Sequence, residues 1–194
     1  MQQKKLSGVL FGVLIVLLVL YTAVAYNSLV AKEEKMEQMW AEVQNTYQRR
    51  LDLTPNLVNT VKGISGFEQE TLTKIAEARS KALSVSVTEI NADTYKQQTQ
   101  VQDELAMYTN RLIATVERYP VLKGTDAYRG LQTQLEGNER RIKVARADFN
   151  AAVADYNQAV RSFPKNIVAK IFGFKEKQGF QADAGADKNV EIKF

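Results

Sequence analysis

The residues of this chain best equipped for chemistry are arginines and carboxylates. Seven-residue repeats put Glu33, Arg50, Glu68 and Arg79 on inward helical lines, and put Asn138 on a core line with Glu139 and Arg146 one residue over. Two chemistries follow from such a set. A suitably spaced pair of glutamates could hydrolyse a glycosidic bond, and a cluster of inward arginines could hold an anion. No spacing singles out a carboxylate pair. Histidine and cysteine are both absent, which removes imidazole general bases, thiolate nucleophiles, disulfides and nearly all zinc sites. No cofactor motif is present, so the expectation is a protein that is not an enzyme and carries no cofactor. The remaining role for these charges is a paired buried network, which adds little net stability but can fix register and partner choice.

The elements that must position them are helices. Only three prolines and ten glycines punctuate 194 residues, which favours long helices over a many-turned β fold. Tyr128, Leu135, Ile142, Phe149, Tyr156 and Phe163 recur every seventh residue, with Leu131, Asn138, Ala145, Ala152 and Ala159 alongside. That period predicts a left-handed, nearly parallel-axis bundle. Thr125 is the expected N-cap of this helix, and Pro164 ends it at Phe163. Leu105, Leu112 and Tyr119 mark a second helix over 91–118. A third, over 26–52, carries Tyr26, Glu33, Trp40 and Tyr47 beside Leu29, Met36, Val43 and Arg50.

Between these lies "RRLDLTPNLV", Arg49 to Val58. Either the chain reverses there, with Thr54 as N-cap and Pro55 in a first turn, or one helix runs on with a kink. The second option sacrifices an internal hydrogen bond at a cost of about 3 kcal/mol before compensation. In either case Asp52 and Asn56 are expected to satisfy the backbone groups that Pro55 frees. Arg49 or Arg50 would then bridge to an acidic partner on another helix.

The expected organisation is a short cytoplasmic N-terminus (1–5), a transmembrane helix (6–26), an antiparallel bundle of three to four long segments (27–163), a short amphipathic segment (164–180) and a flexible tail (181–194). The stretch 6–26 is free of charge and about 20 residues span a bilayer core. It exceeds the apolar core of a cleavable signal, although Ala23-Val24-Ala25 resembles a cleavage site. Lys4 and Lys5 precede it, whereas Lys32 and Lys35 are offset by Glu33 and Glu34. The bundle is therefore expected outside the cytoplasmic membrane. Gly8 and Gly12 form a G-x-x-x-G spacing that lets two membrane helices pack. After Pro164, the apolar residues Ile167, Ile171, Phe172 and Phe174 are interleaved with lysines. This cationic helix can lie on an anionic membrane surface, dock on a neighbouring subunit, or cover the end of its own bundle. The net charge of +4 is mild and its basic residues are dispersed, so nucleic acid is not an expected partner.

Several of these stretches together resemble the LemA family. They are "YNSLV" at Tyr26–Val30, Trp40, "QRRLDLTPNLVNTVKG" at Gln48–Gly63, "RYP" at Arg118–Pro120, and "FPKNIVAKIFGF" at Phe163–Phe174. Glu139, Ile142, Arg146, Phe149, Asn150, Tyr156 and Asn157 supply the pattern of the long helix. The resemblance implies a bacterial, membrane-anchored helical bundle that is not a recognised enzyme. It marks Arg49, Arg50, Asp52, Pro55, Asn56, Glu68 and Arg79 as family positions. Where the family usually has a histidine before the match to Glu68, this chain has Phe67. The function expected is a self-associating envelope scaffold with the lipid bilayer, further copies of itself in a homo-oligomer and an envelope protein as partners; the alternative is a sensor binding an anion through inward arginines and glutamates.

Overall fold

The computed structural model describes residues 2–62, 69–85 and 91–180. Among them the chain forms six helices and no β-sheet: α1 (Gln2–Lys62), α2 (Gln69–Ser84), α3 (Ala92–Val116), α4 (Pro120–Lys123), α5 (Asp126–Arg161) and α6 (Lys165–Phe172). The fold is all-α. Asn91 starts α3 with a capping box shared with Thr94, and the Thr125 hydroxyl accepts the Tyr128 amide at the start of α5. These side chains satisfy amides that a helix leaves without partners. Gly173 stops α6 at φ +80, a left-handed conformation that glycine adopts without a Cβ clash.

α1 decides between the two readings of Pro55. The helix passes through Pro55 to Lys62 without interruption, so the chain does not reverse there. Had it reversed, Pro55 would open a second helix; instead the residues after it complete α1, and α2 follows from Gln69. α2 returns alongside α1, bringing Arg79 to Leu51. α3 then rises beside α2, with Lys81 on Glu104, and α5 descends along α1, with Asn138 at Thr46 and Asp155 at Lys32. Four helices thus surround the core at the end away from the apolar N-terminal stretch, an up-down arrangement suited to seven-residue seams.

The core lies in three storeys. Distally, Leu57 and Val61 of α1 meet Ile75, Leu105, Leu112 and Tyr128. The middle storey joins Met36, Trp40, Val43 and Tyr47 to Tyr95, Ile142 and Phe149. Below it, α2 and α3 have ended, and α1 and α5 continue as a pair closed by α6 through Ala25, Leu29, Tyr156 and Val168. The seam of α5 is buried from Tyr128 to Tyr156. Phe163 departs from it, because α5 ends at Arg161 and the ring lies 80% exposed.

From Ala25 downward α1 has no bundle around it. Its large apolar side chains from Val9 to Val24 are exposed, and this helix is long and apolar enough to cross a membrane. Glu68 and the tail from 181 lie outside the described residues.

Burial pushes the phenols of Tyr47, Tyr95 and Tyr128 above their ordinary value, and that of Tyr156 to about 12. Above pH 10 the unfolded chain loses these protons while the folded chain keeps them, so stability falls as pH rises. It is fully present below pH 10 and is lost as the solution approaches pH 12. In an alkaline titration, helicity and tyrosinate absorbance should therefore change together for a late-titrating subset of the eight tyrosines. Ionisation of all eight near pH 10 with helicity intact would contradict this packing.

Candidate functional site: a polar clasp and a tethered C-terminal strand

Two of the charged residues that the sequence places inward, Arg50 and Glu139, meet in the last third of α1, about 38 Å beyond Ala25 at 1.5 Å per residue. Arg50 is 3% exposed. Its Nε donates to Glu139 Oε1 at 2.9 Å and its Nη2 to Glu139 Oε2 at 2.5 Å. Nη1 donates to the Gln102 carbonyl at 2.9 Å and to Gln102 Oε1 at 3.2 Å. One guanidinium therefore joins α1, α3 and α5 through a bidentate carboxylate pair, the strongest geometry available to arginine. The Glu139 side chain is 42% exposed, so water still reaches the carboxylate while the cation is shut in. Beside it, Asn138 Nδ2 donates to the Thr46 carbonyl at 3.1 Å.

Pro55 explains the remaining member. A residue with an amide at position 55 would donate to the Leu51 carbonyl, and proline has none to give. Arg79 Nε of α2 donates to that carbonyl at 2.9 Å. The expectation that Asp52 and Asn56 serve this purpose is thereby corrected. The freed group is an acceptor, and a carboxylate is itself an acceptor, so only a donor can satisfy it. Asp52 is exposed and accepts from Gln48 Nε2 at 2.9 Å instead. Asn56 and Arg49 are exposed on α1, and the Asn56 carbonyl accepts the Thr60 hydroxyl. A hydrogen bond involving a charged group contributes about 1.5–3 kcal/mol, enough to offset much of the proline penalty of about 3 kcal/mol.

Arg146 stands apart from the clasp, its guanidinium 4.6 Å from the centre of the Phe180 ring. That ring completes the middle storey among Trp40, Tyr95 and Phe149, with centroids 5.5–5.8 Å away. The arginines therefore do not converge on one anion site: Arg50 is held by Glu139, Arg79 by Leu51, and Arg146 lies over an aromatic ring. Glu68 lies outside the described residues. Among the described residues no cluster of three acidic side chains could hold a metal ion.

Sequence reasoning missed how the C-terminal strand is held. Asn150 Nδ2 donates to the Phe180 carbonyl at 3.0 Å, and the Phe180 amide donates back to Asn150 Oδ1 at 2.8 Å. Asn157 repeats the exchange with Lys177, at 2.7 and 2.8 Å. Seven helical residues rise about 10.5 Å, close to three residues of extended chain, so the two amides act as rungs for a strand running antiparallel to α5. A Cβ on Gly179 would lie 2.5 Å from Asn150 Oδ1, which explains a glycine at this close approach. The available signal was two asparagines seven apart, each following an aromatic seam residue.

Two outcomes test these contacts. Arg79→Met should lower stability by about 1–2 kcal/mol in thermal unfolding followed by circular dichroism. In a Pro55→Ala background the restored amide competes for Leu51, so the same change should cost less than half as much; equal losses in both backgrounds would contradict the assignment. Asn157→Ala with Asn150→Ala should speed tryptic cleavage at Lys175 and Lys177 roughly tenfold or more at unchanged helix content. An unchanged rate would show that the rungs do not hold the strand.

The sequence model of the LemA family matches residues 39–194. Protein LemA of Metamycoplasma hominis is 23% identical over 156 residues, 80% of this chain and 68% of its own length. Magnetosome protein MamQ 2 of Paramagnetospirillum magneticum is 39% identical over 80 residues, and magnetosome protein MamQ of Magnetospirillum gryphiswaldense 38% over 80. Those alignments span 41% of this chain but only 29% of each magnetosome protein. The family match begins at Met39, 13 residues after the "YNSLV" stretch opens at Tyr26, and takes in the clasp, α2 to α6 and the tethered strand. The chain belongs to the LemA family.

Proposed function

We propose that this protein is a non-enzymatic, single-pass membrane-anchored scaffold that self-associates and organises the bacterial cell envelope or supports a partner complex there. The observation that carries this reading is the unbroken course of α1, which runs from an exposed apolar stretch into the centre of the bundle. Whatever docks on the bundle is thereby tied to the bilayer through one rod. The side chains best suited to chemistry are occupied in holding helices together, and a scaffold needs no more of them.

In this proposal the bundle lies on the outer side of the cytoplasmic membrane. Lys4 and Lys5 precede the span, whereas beyond it Lys32 pairs with Asp155 and Glu33 with Lys177. Charge is thus offset on the bundle side and left positive before the span, in keeping with a cytoplasmic N-terminus. Nothing within 4 Å meets a Cβ built on Gly8 or Gly12, so a second copy of the span can approach that face closely. The relatives named for the magnetosome support a role within a larger assembly. The alternative, an anion sensor built on inward arginines, lacks a shared site among the described residues, because Arg50, Arg79 and Arg146 are separately engaged.

Light scattering of the detergent-solubilised chain should return a protein mass above the 21.8 kDa of one copy, rising with concentration. Gly8→Ile with Gly12→Ile should lower that mass. A strict monomer at every concentration would defeat the self-association part of the reading.

A further inference from the structure

α6 is apolar on two sides. Val168 and Ala169 are buried against α1 and α5, while Ile167, Ile171 and Phe172 are 51%, 70% and 51% exposed. Its position along α1 is set by three contacts. Lys165 Nζ donates to Ser28 Oγ at 2.9 Å, and the Tyr26 ring lies 4.9 Å from Phe172 and 5.6 Å from Phe174. Phe172 also shares a groove with Val19, Thr22 and Ala23. α6 therefore descends from the level of Ser28 towards that of Val19, and its far end draws level with the apolar span. The chain turns at Gly173 and climbs back, reaching Asn157 through Lys177 and Asn150 through Phe180. The result is a hairpin whose tip points along α1 towards the exposed apolar stretch.

We propose that this tip, Ile171 to Gly173, enters the bilayer that holds α1, with Lys170 and Lys175 on anionic phospholipid headgroups. The inference rests on anchoring by α1. Two features commit the exposed face to lipid. It is continuous, through Tyr26 and Phe172, with side chains of α1 that are themselves apolar and exposed. It is also flanked by two exposed lysines, the arrangement by which amphipathic segments settle at an anionic interface. Aromatic rings at that level, Tyr26 and Phe172, suit the headgroup boundary.

The absence of cysteine allows single nitroxide labels on the full chain. Labels at Ile171→Cys, Val16→Cys and Val144→Cys would be compared in phosphatidylcholine vesicles with and without phosphatidylglycerol. Collision with oxygen reports lipid and collision with a nickel chelate reports water. The label at position 171 should follow that at 16, favouring oxygen, and Val144 on α5 should favour nickel. Lys170→Glu with Lys175→Glu should lower the oxygen-to-nickel ratio at 171 several-fold in the phosphatidylglycerol vesicles. A label at 171 as open to nickel as that at 144 would overturn the proposal, and so would one shielded from both agents, which would mean protein covers the tip. Equal ratios with and without phosphatidylglycerol would overturn the anionic preference. A label at 16 open to nickel would instead defeat anchoring by α1 itself.

Discussion

A buried cation cannot be left alone. The Arg50 guanidinium lies in a part of the bundle where water does not reach it, and removing an ion's partner in such a place costs about 3–5 kcal/mol. That constraint sets the register of three helices at once, because Glu139 and Gln102 must both arrive at the same level of α1. The storeys above and below are largely hydrophobic, and apolar contacts tolerate sliding better than a bidentate pair does. Arg50 sits at the boundary between two of them, one residue before Leu51 of the distal storey and three after Tyr47 of the middle one. The clasp thus supplies alignment, and the aromatic and aliphatic seams supply most of the driving force.

Pro55, five residues on, belongs to the same device. Inside a continuous helix each carbonyl already accepts the amide four residues later. A neighbour can only add a second bond to it, as Asn138 does at Thr46 and Arg50 at Gln102; a wholly free carbonyl requires a missing amide. Pro55 releases one, and Arg79 of α2 takes it. What a single helix would count as a defect becomes a docking point between two. This also accounts for the mixture of arginine, aspartate, leucine and proline in "RRLDLTPNLV". Arg50 and the Leu51 carbonyl face partners, Asp52 and Asn56 face water, and Leu53 and Leu57 enter the core.

How far these features were legible follows from their range. The seam of α5 could be read because each aromatic repeats seven residues from the last, and local period carries that signal. The line Leu29, Met36, Val43 and Arg50 was legible for the same reason, and all four are buried. The outcome at Pro55 was not, because the donor that makes a continuous helix tolerable sits 28 residues from the Leu51 carbonyl it serves. Phe163 misled because the period extends one step beyond the helix that bears it. The strand through Lys177 and Phe180 left almost no trace, since paired side-chain amides recognise backbone and ask little of the strand's own side chains.

The uninterrupted course of α1 has a mechanical consequence. From Ala25 to Lys62 it extends about 56 Å, and within that length it contains no loop at which the bundle could swivel on its stem. Membrane helices commonly lean within the bilayer, and here any lean must be inherited by everything above it. A lean of about 10° would sweep the far end sideways by roughly 10 Å. Local bilayer thickness and curvature would thereby be converted into the direction in which the bundle points.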